Sequence, residues 1–190
     1  MLPQISFARS AIPNTVRLSL TAAELVELAA LLRRAFDCIA KLKAKNPAAA
    51  PIQYPKLPSV FSESVILHCS SVLFPGARNL RRGGVSADIL FESGKRTKRV
   101  EIKATGQQAF QYFGQKDISA DFLVWLAFGE CFLSQVESPI RIYVLPKPGR
   151  VFLNPMKITL ATFRQRAAGM LICYEARLRE IIDGKVERLP

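Results

Sequence analysis

Three residues of the chain combine side-chain types and a spacing suited to phosphodiester hydrolysis. Asp88 lies in one apolar segment, and Glu101 and Lys103 form a Glu-x-Lys pair in the next. Carboxylate oxygens are hard ligands that suit Mg²⁺, which keeps several waters and also binds phosphate oxygens. A neighbouring lysine can orient or help to deprotonate the attacking water, or stabilise the charged transition state. The three side chains therefore predict metal-dependent cleavage of a phosphodiester, provided that the fold brings them together.

The two apolar segments are predicted to be β-strands, over Val85–Phe91 and Lys98–Thr105, joined by a tight polar turn at Ser93–Arg96. Side chains of a strand alternate between its two faces. Glu101 and Lys103 are therefore expected to share one polar face of the second strand.

The turn decides whether the two carboxylates meet. With Gly94-Lys95 as its central residues, the turn is expected to be of type II′, which favours glycine at the first central position. This register places Asp88 directly opposite Glu101, and opposed residues share a face. A slip of one residue would place Asp88 opposite a hydrophobic neighbour and disperse the site. The alternative to a catalytic site is a solvated hairpin face with ordinary cross-strand ion pairs.

The composition favours a polyanionic partner. The chain of 190 residues carries 27 Lys and Arg against 15 Asp and Glu, a formal net charge of +12. Such a surplus suits nucleic acid or an acidic membrane face, although it can also simply keep a basic protein soluble. The longest apolar run, Phe122–Phe128, is too short to span a bilayer. We expect no membrane segment, and the N-terminus lacks the apolar core of a signal peptide.

The cysteines are expected to be reduced. Cys38, Cys69, Cys131 and Cys173 form no CxxC pair, and His68 is the single histidine, so a structural zinc site is disfavoured. The cysteines lie in apolar runs and are typical of core residues in a cytosolic protein, which predicts a cytoplasmic location. His68 itself is interpreted as a packed residue rather than a general base.

Other elements must surround the hairpin. Thr21 and Glu24 form a capping-box pattern that opens a helix. Prolines mark a linker before the second helix. The predicted elements are helices over Thr21–Lys45 and Ser59–Phe74, a linker over Asn46–Pro58, a basic loop over Ala77–Gly84, a short helix over Gln107–Phe113, strands over Ala120–Phe128 and Ile140–Leu145, and a long helix over Thr159–Ile182. This order predicts an α/β fold with a central mixed β-sheet flanked by helices.

The segments Ser86-Ala87-Asp88 and Val100-Glu101-Ile102-Lys103 resemble the motif of the PD-(D/E)XK nuclease superfamily, the fold of many type II restriction endonucleases. The resemblance covers residues 59 to 145, and Ala87 replaces the proline usually written before the aspartate. It implies a restriction-endonuclease-like core with additional N- and C-terminal helices. The implied division is an N-terminal helical extension and linker over residues 1–58 and a nuclease core over 59–190, together one compact domain.

The resemblance also implies roles for individual residues. Asp88, Glu101 and Lys103 are implied to be catalytic, and the backbone carbonyl of Ile102 joins the two carboxylates as a metal ligand. Glu63, on the helix before the hairpin, matches an acidic residue that the superfamily often places at the site. In that position a carboxylate is equally favoured by the helix dipole alone.

A second group of side chains is expected to bind DNA. Gln108 opens the segment Gln108–Tyr112, which resembles the Gln-x-x-x-Tyr signature of RecB-like nucleases, although a polar face of a short helix is an equal interpretation. The basic residues beside the motif are expected to contact phosphates, or else to form a solvated basic loop. The predicted DNA-binding residues are Arg78, Arg81, Arg82, Lys95, Arg96 and Gln108. The pair Lys116-Asp117 is either a turn or part of the site.

The predicted function is a Mg²⁺-dependent endonuclease acting on double-stranded DNA, a type II restriction endonuclease or a subunit of one, with Mn²⁺ able to substitute. Cutting both strands needs two sites, which predicts a homodimer or pairing with a second nuclease subunit. The alternatives are a structure-specific or repair nuclease, such as a Holliday-junction resolvase, and a nucleic-acid-binding protein without catalytic activity.

Overall fold

The computed structural model describes residues 19–106, 110–129, 132 and 138–190. These residues form an α/β fold around a mixed seven-stranded sheet, with strands in the order β1-β2-β3-β5-β6-β8-β9. Among the described strands, β3 and β5 pair in parallel and all other neighbours pair antiparallel. The sheet strands are β1 (Arg78–Arg82), β2 (Ile89–Ser93), β3 (Arg96–Thr105), β5 (Phe122–Ala127), β6 (Ile140–Pro146), β8 (Ile172–Ala176) and β9 (Glu187–Arg188). A separate ribbon pairs β4 (Phe110–Phe113) with β7 (Met156–Thr159).

The helices lie on both faces of the sheet. Thr21 caps the first helix as predicted, since its hydroxyl accepts from the Glu24 N–H at 3.3 Å and the Glu24 carboxylate accepts from the Thr21 N–H at 2.7 Å. The helices are α1 (Ala22–Lys45), α2 (Ser59–His68), α3 (Ser70–Leu73), α4 (Gln115–Ile118), α5 (Leu160–Ala167) and α6 (Leu178–Ile182), with 3-10 turns at Pro47–Ala49 and Pro148–Arg150. No helix in the described ranges is both long enough and apolar enough to cross a membrane.

Two hydrophobic cores cover the two faces of the sheet. On one face, Val124 and Ile142 pack with Phe36 of α1 and Phe61 of α2. On the other face, the second core contains Leu123 and Trp125 together with residues of β4 and α5. Glu101 lies opposite Leu123 and Lys103 opposite Trp125 in the β3–β5 pairing. The face of the sheet that carries the proposed site is therefore the face of the second core.

Two predicted helices are wrong over part of their length. Residues 110–113 of the segment Gln107–Phe113 form strand β4, and residues 107–109 lie outside the described part. The alternation of exposed Phe110 and Tyr112 with buried Phe113 has the period of a strand. The segment Thr159–Ile182 contains two short helices separated by strand β8, because Ile172–Ala176 pairs with β6 and this tertiary pairing overrides local helix preference.

Three further boundaries differ from the predictions. The Ser59–Phe74 helix is interrupted at Cys69, between α2 and α3. The first strand of the hairpin begins at Ile89, because the residues before it form a turn in which Ser86 N donates to Gly83 O at 3.2 Å. The predicted basic loop Ala77–Gly84 contains edge strand β1, whose mostly exposed residues show no apolar alternation that would reveal it. Strands β3, β5 and β6 lie where the sequence predicts them.

Candidate active site

The hairpin has the predicted register. Ile89 pairs with Val100 and Ser93 pairs with Arg96, so the turn centres on Gly94-Lys95. Gly94 has φ +61°, and Lys95 is not among the described residues of positive φ. This combination fits a type II′ turn, in which only the first central residue needs the left-handed region. The conformation of the turn thus sets the strand register that places Asp88 opposite Glu101, on which the site depends.

Asp88 lies immediately before β2, and its backbone and carboxylate both form hydrogen bonds with β3. Its N–H donates to Val100 O at 3.2 Å, and its Oδ2 accepts from the Ile102 N–H at 2.7 Å. The N–H and C=O of one strand residue point to the same edge. The carbonyl of Ile102 therefore points to the edge of β3 at which Asp88 lies. Successive residues of a strand present their backbone groups to opposite edges. Consistently, the carbonyl of Thr105, three residues after Ile102, points to the other edge of β3, where it accepts from the Phe128 N–H at 2.9 Å.

Glu101 is a buried carboxylate that is only partly compensated. It is 3% exposed, and its Oε1 has no hydrogen-bond partner in the part of the chain that the structure describes. Burial and, after it, the negative charge of Asp88 raise the pKa of Glu101 to about 7, against the opposing effect of Lys116. An ionised carboxyl in this position needs a nearby cation, because the oxygen is buried and no donor from the described residues reaches it.

Lys116 supplies a positive charge between the two carboxylates. Its Nζ lies 3.2 Å from Glu101 Oε2 and 3.6 Å from Asp88 Oδ1. Burial lowers the pKa of Lys116, but the hydrogen bond to Glu101 and the charge of Asp88 outweigh this effect, so the pKa is raised. The ammonium group of Lys116 therefore stays protonated and holds the carboxylates together.

Lys103 is held from the opposite side by Asp117. Its Nζ lies 2.8 Å from Asp117 Oδ1, and Asp117 Oδ2 accepts from the Gly114 N–H at 2.8 Å. Asp117 is buried, and it lies in the first turn of α4 next to Lys116. The pair Lys116-Asp117 lies in a short helix rather than a turn, and its side chains contact the residues of the proposed site. The signal in the sequence is the glycine followed three residues later by a carboxylate, which is the spacing of a helix start.

Glu63 of α2 forms an ion pair with an arginine of β1. This buried carboxylate of α2 accepts from Arg82 Nε at 2.6 Å and also contacts Arg82 Nη2. Within the described residues it makes no hydrogen bond or ion pair with Asp88 or Glu101. One residue expected in catalysis and one expected to bind DNA therefore form a single ion pair. His68, by contrast, is packed, with Nε2 3.0 Å from Leu20 O.

The predicted DNA-binding residues fall into different places. Arg81 and Arg82 lie on edge strand β1, where Arg81 Nη1 is 3.6 Å from a Glu92 carboxylate oxygen. Lys95 and Arg96 are exposed at the hairpin turn, roughly 20 Å from Asp88 at the rise of about 3.3 Å per strand residue. Arg78 is exposed at the start of β1, and Gln108 lies outside the described residues. These cations could bind a long backbone but do not surround the carboxylates.

The residues present fit a divalent cation of the Mg²⁺ type. The carboxylates of Asp88 and Glu101 both reach Lys116 Nζ, Asp88 also reaches the backbone of Ile102, and one buried oxygen of Glu101 lacks a partner among the described residues. Hard oxygen donors in this number suit Mg²⁺, which completes its shell with water. No cluster of three or more His, Cys, Asp and Glu side chains arranged for a metal is found in the described ranges.

Comparisons of the chain with protein-family models, with curated proteins and with solved structures each return no match. Any functional conclusion therefore rests on the residues and geometry of this chain.

Proposed function

We propose that the chain is a Mg²⁺-dependent DNA endonuclease of the PD-(D/E)XK kind, with a restriction-endonuclease-like core. One observation carries the proposal: Asp88, just before β2, and buried Glu101 of β3 converge on a single ammonium group, and one carboxylate oxygen has no partner among the described residues. Two carboxylates held this close together destabilise the fold, and an activity that needs a bound cation would explain why the chain has this arrangement.

The charges around the site support phosphate chemistry. When all are ionised, three carboxylates (Asp88, Glu101 and Asp117) and two ammonium groups (Lys103 and Lys116) leave one negative charge. Asp88, Glu101 and the Ile102 carbonyl would hold Mg²⁺, which when bound supplies Lewis-acid activation of water and neutralises the phosphate. The net charge of the loaded site becomes positive, as an anionic substrate requires.

The lysines have separate roles in this proposal. Lys103, fixed by Asp117, orients the attacking water and donates to the developing negative charge on the phosphate. Lys116 bridges the carboxylates in the metal-free chain, and its ammonium group turns to a phosphate oxygen once those carboxylates have another partner. Glu63 has no part in the chemistry, since Arg82 holds it.

Incubation of the purified chain with supercoiled plasmid and Mg²⁺ tests the proposal. We expect cleavage that EDTA abolishes and that Asp88→Asn, Glu101→Gln and Lys103→Ala each reduce by at least about 100-fold. Glu175→Gln is the matched control, because Glu175 of β8 is also a carboxylate in an ion pair, with Arg141 of β6, and it is not one of the proposed site residues. If the three variants cut as fast as the wild type, the assignment is wrong.

The biological role proposed is restriction of double-stranded DNA by a homodimer, or by pairing with a second nuclease subunit, in the cytoplasm. Two sites related by a two-fold axis are the simplest way for a chain of this size to cut both strands. The free thiols of Cys38, Cys69 and Cys173 suit a reducing compartment. Discrete bands from phage DNA would support restriction, whereas a preference for branched DNA would favour a structure-specific nuclease.

A second candidate is a nucleic-acid-binding protein without catalytic activity. The observation in its favour is that each carboxylate of the site already faces a lysine: Asp117 faces Lys103, and Asp88 and Glu101 face Lys116. Such a protein would bind DNA equally well in EDTA and in Mg²⁺ and would leave the plasmid intact.

A further inference from the structure

A groove of about 860 Å³ opens beside Lys103. One wall is the segment 50–57 between α1 and α2, another is the end of β3 from Ile102 to Thr105 with Gly106 after it, and a third is β4. Strand β2 ends opposite Val100, so β3 has no β2 partner along this stretch. The groove therefore follows the open edge of β3, starting at the site.

The lining of this groove is positively charged. Lys43, Lys56 and Lys103 contribute to it, and no Asp or Glu is among its described lining residues. Lys103 is already paired with Asp117, so Lys43 and Lys56 are the ammonium groups that suit a phosphate backbone and that a lipid-like or neutral ligand would leave uncompensated. Lys43 also lies over the ring of Tyr54, with Nζ 5.0 Å from the ring centroid. Lys43 is thereby held at the groove.

Two aromatic side chains on the groove wall are exposed. Phe110 is 71% exposed and Tyr112 is 58% exposed, although large aromatic side chains are usually covered. Both lie on the outward face of β4. The intervening Gln111 turns inward and donates to Ala104 O at 3.0 Å, and the next residue, Phe113, is buried. Lys157 lies opposite Tyr112 in the β4–β7 ribbon.

We propose that this groove binds an unpaired stretch of a nucleic-acid strand. Bases stack on Phe110 and Tyr112, phosphates contact Lys43 and Lys56, and the strand is led to Lys103. Aromatic platforms next to cations are how proteins bind single strands without reading sequence. The volume accommodates a ligand of drug-like size, such as one or two nucleotides, and not a duplex. The proposal rests on the proposed nuclease function in one respect only, which is that the bound strand leads to Lys103 as a catalytic residue.

A protein segment is the other occupant that an aromatic groove could take. Because no Asp or Glu is among the described lining residues, Lys43 and Lys56 would then demand an acidic segment, and stacking would contribute nothing. The pairing of cations with exposed rings favours nucleic acid. An acidic peptide is therefore a competitor in the test below.

The groove can be tested with a tryptophan reporter. The native Trp125 is fully buried, so a Tyr112→Trp variant places one exposed indole in the groove. We expect a short oligo(dT) strand, added in EDTA to prevent cleavage, to quench this indole with an affinity that falls as salt rises. Leu153→Trp is the matched control, because Leu153 is 76% exposed and lies outside the groove. Its indole should not be quenched.

Affinity measurements complete the test. Phe110→Ala and Tyr112→Ala should each weaken single-strand binding roughly tenfold, Tyr112→Phe should preserve it, and duplex binding should change less. Unchanged single-strand affinity in both alanine variants, quenching by an acidic peptide instead of oligo(dT), or equal quenching by duplex would overturn the proposal. Plasmid cleavage in Mg²⁺ is a separate readout: quenching without cleavage refutes only the nuclease, and cleavage without quenching refutes only the groove.

Discussion

Replacing Glu101 by glutamine should stabilise the metal-free protein at alkaline pH while abolishing its response to Mg²⁺. Burial beside Asp88 raises the pKa of Glu101 to about 7 from an ordinary 4.5. At about 1.4 kcal/mol for each pH unit, this difference corresponds to about 3 kcal/mol of stability. The folded state binds the proton more tightly than the unfolded state does. The associated stability is therefore fully present below pH 4.5 and is lost as the pH rises to about 7.

Urea unfolding in EDTA at pH 5 and pH 8 measures this effect. The free energies of unfolding of the wild type and Glu101→Gln should lie close together at pH 5. The variant should be more stable by up to about 3 kcal/mol at pH 8. Mg²⁺ at 100 times its dissociation constant should then stabilise only the wild type, by about 2.7 kcal/mol. A difference that is the same at both pH values would show that Glu101 is not desolvated and would refute the reasoning.

Asp121 provides a control of opposite sign. Burial alone would raise the pKa of Asp121, but a hydrogen bond from Lys98 at 2.9 Å and one from the Arg99 N–H at 3.0 Å lower it. The stability that Asp121 contributes is present above its ordinary pKa of 3.8 and is lost as the pH falls. Asp121→Asn should therefore be less stable than the wild type at pH 8, and the difference should shrink in acid.

Three other substitutions test the neighbouring ion pairs. Lys116→Ala removes the ammonium group that competes with a cation, so Mg²⁺ should bind the DNA-free protein more tightly by calorimetry. Asp117→Asn leaves an acceptor for the adjacent backbone N–H but releases Lys103, and single-turnover cleavage should slow about 10- to 100-fold with little change in melting temperature. Arg82→Ala leaves buried Glu63 without its partner and should lower the free energy of urea unfolding by about 1–3 kcal/mol; an unchanged value would mean that the ion pair contributes nothing.

The hairpin could be predicted because its information is local. Gly94 at the first central position favours one turn type, and that turn fixes the pairing of Ile89 with Val100 and hence the approach of Asp88 to Glu101. The N-cap of α1 is local in the same way. Such features depend on residues two to four positions apart, which a single sequence displays.

The partners of the site residues could not be predicted, because they depend on how distant segments pack. Lys116 and Asp117 reach the hairpin only through the placement of α4 between β4 and β5. Strand β8 shows the same limit. The segment Ile172–Ala176 is part of a sequence that is locally suited to a helix, and pairing with β6 makes it a strand. The Glu63–Arg82 ion pair could not be predicted for the same reason, since position on a helix does not reveal that Arg82 of β1 comes close to it.

The electrostatics connect the fold to the proposed chemistry. Lys116 compensates Asp88 and one oxygen of Glu101, and the other oxygen is buried with no partner from residues that the structure describes. A purely structural ion pair would gain stability from satisfying that oxygen, because an unpaired buried acceptor destabilises the folded state by about 1–3 kcal/mol. At a pH where Glu101 is ionised, the metal-free arrangement is therefore expected to be less stable than the same fold with glutamine at position 101. A cation held by Asp88, Glu101 and the Ile102 carbonyl would remove this instability, which makes the stability difference and the Mg²⁺ response two measurements of the same feature.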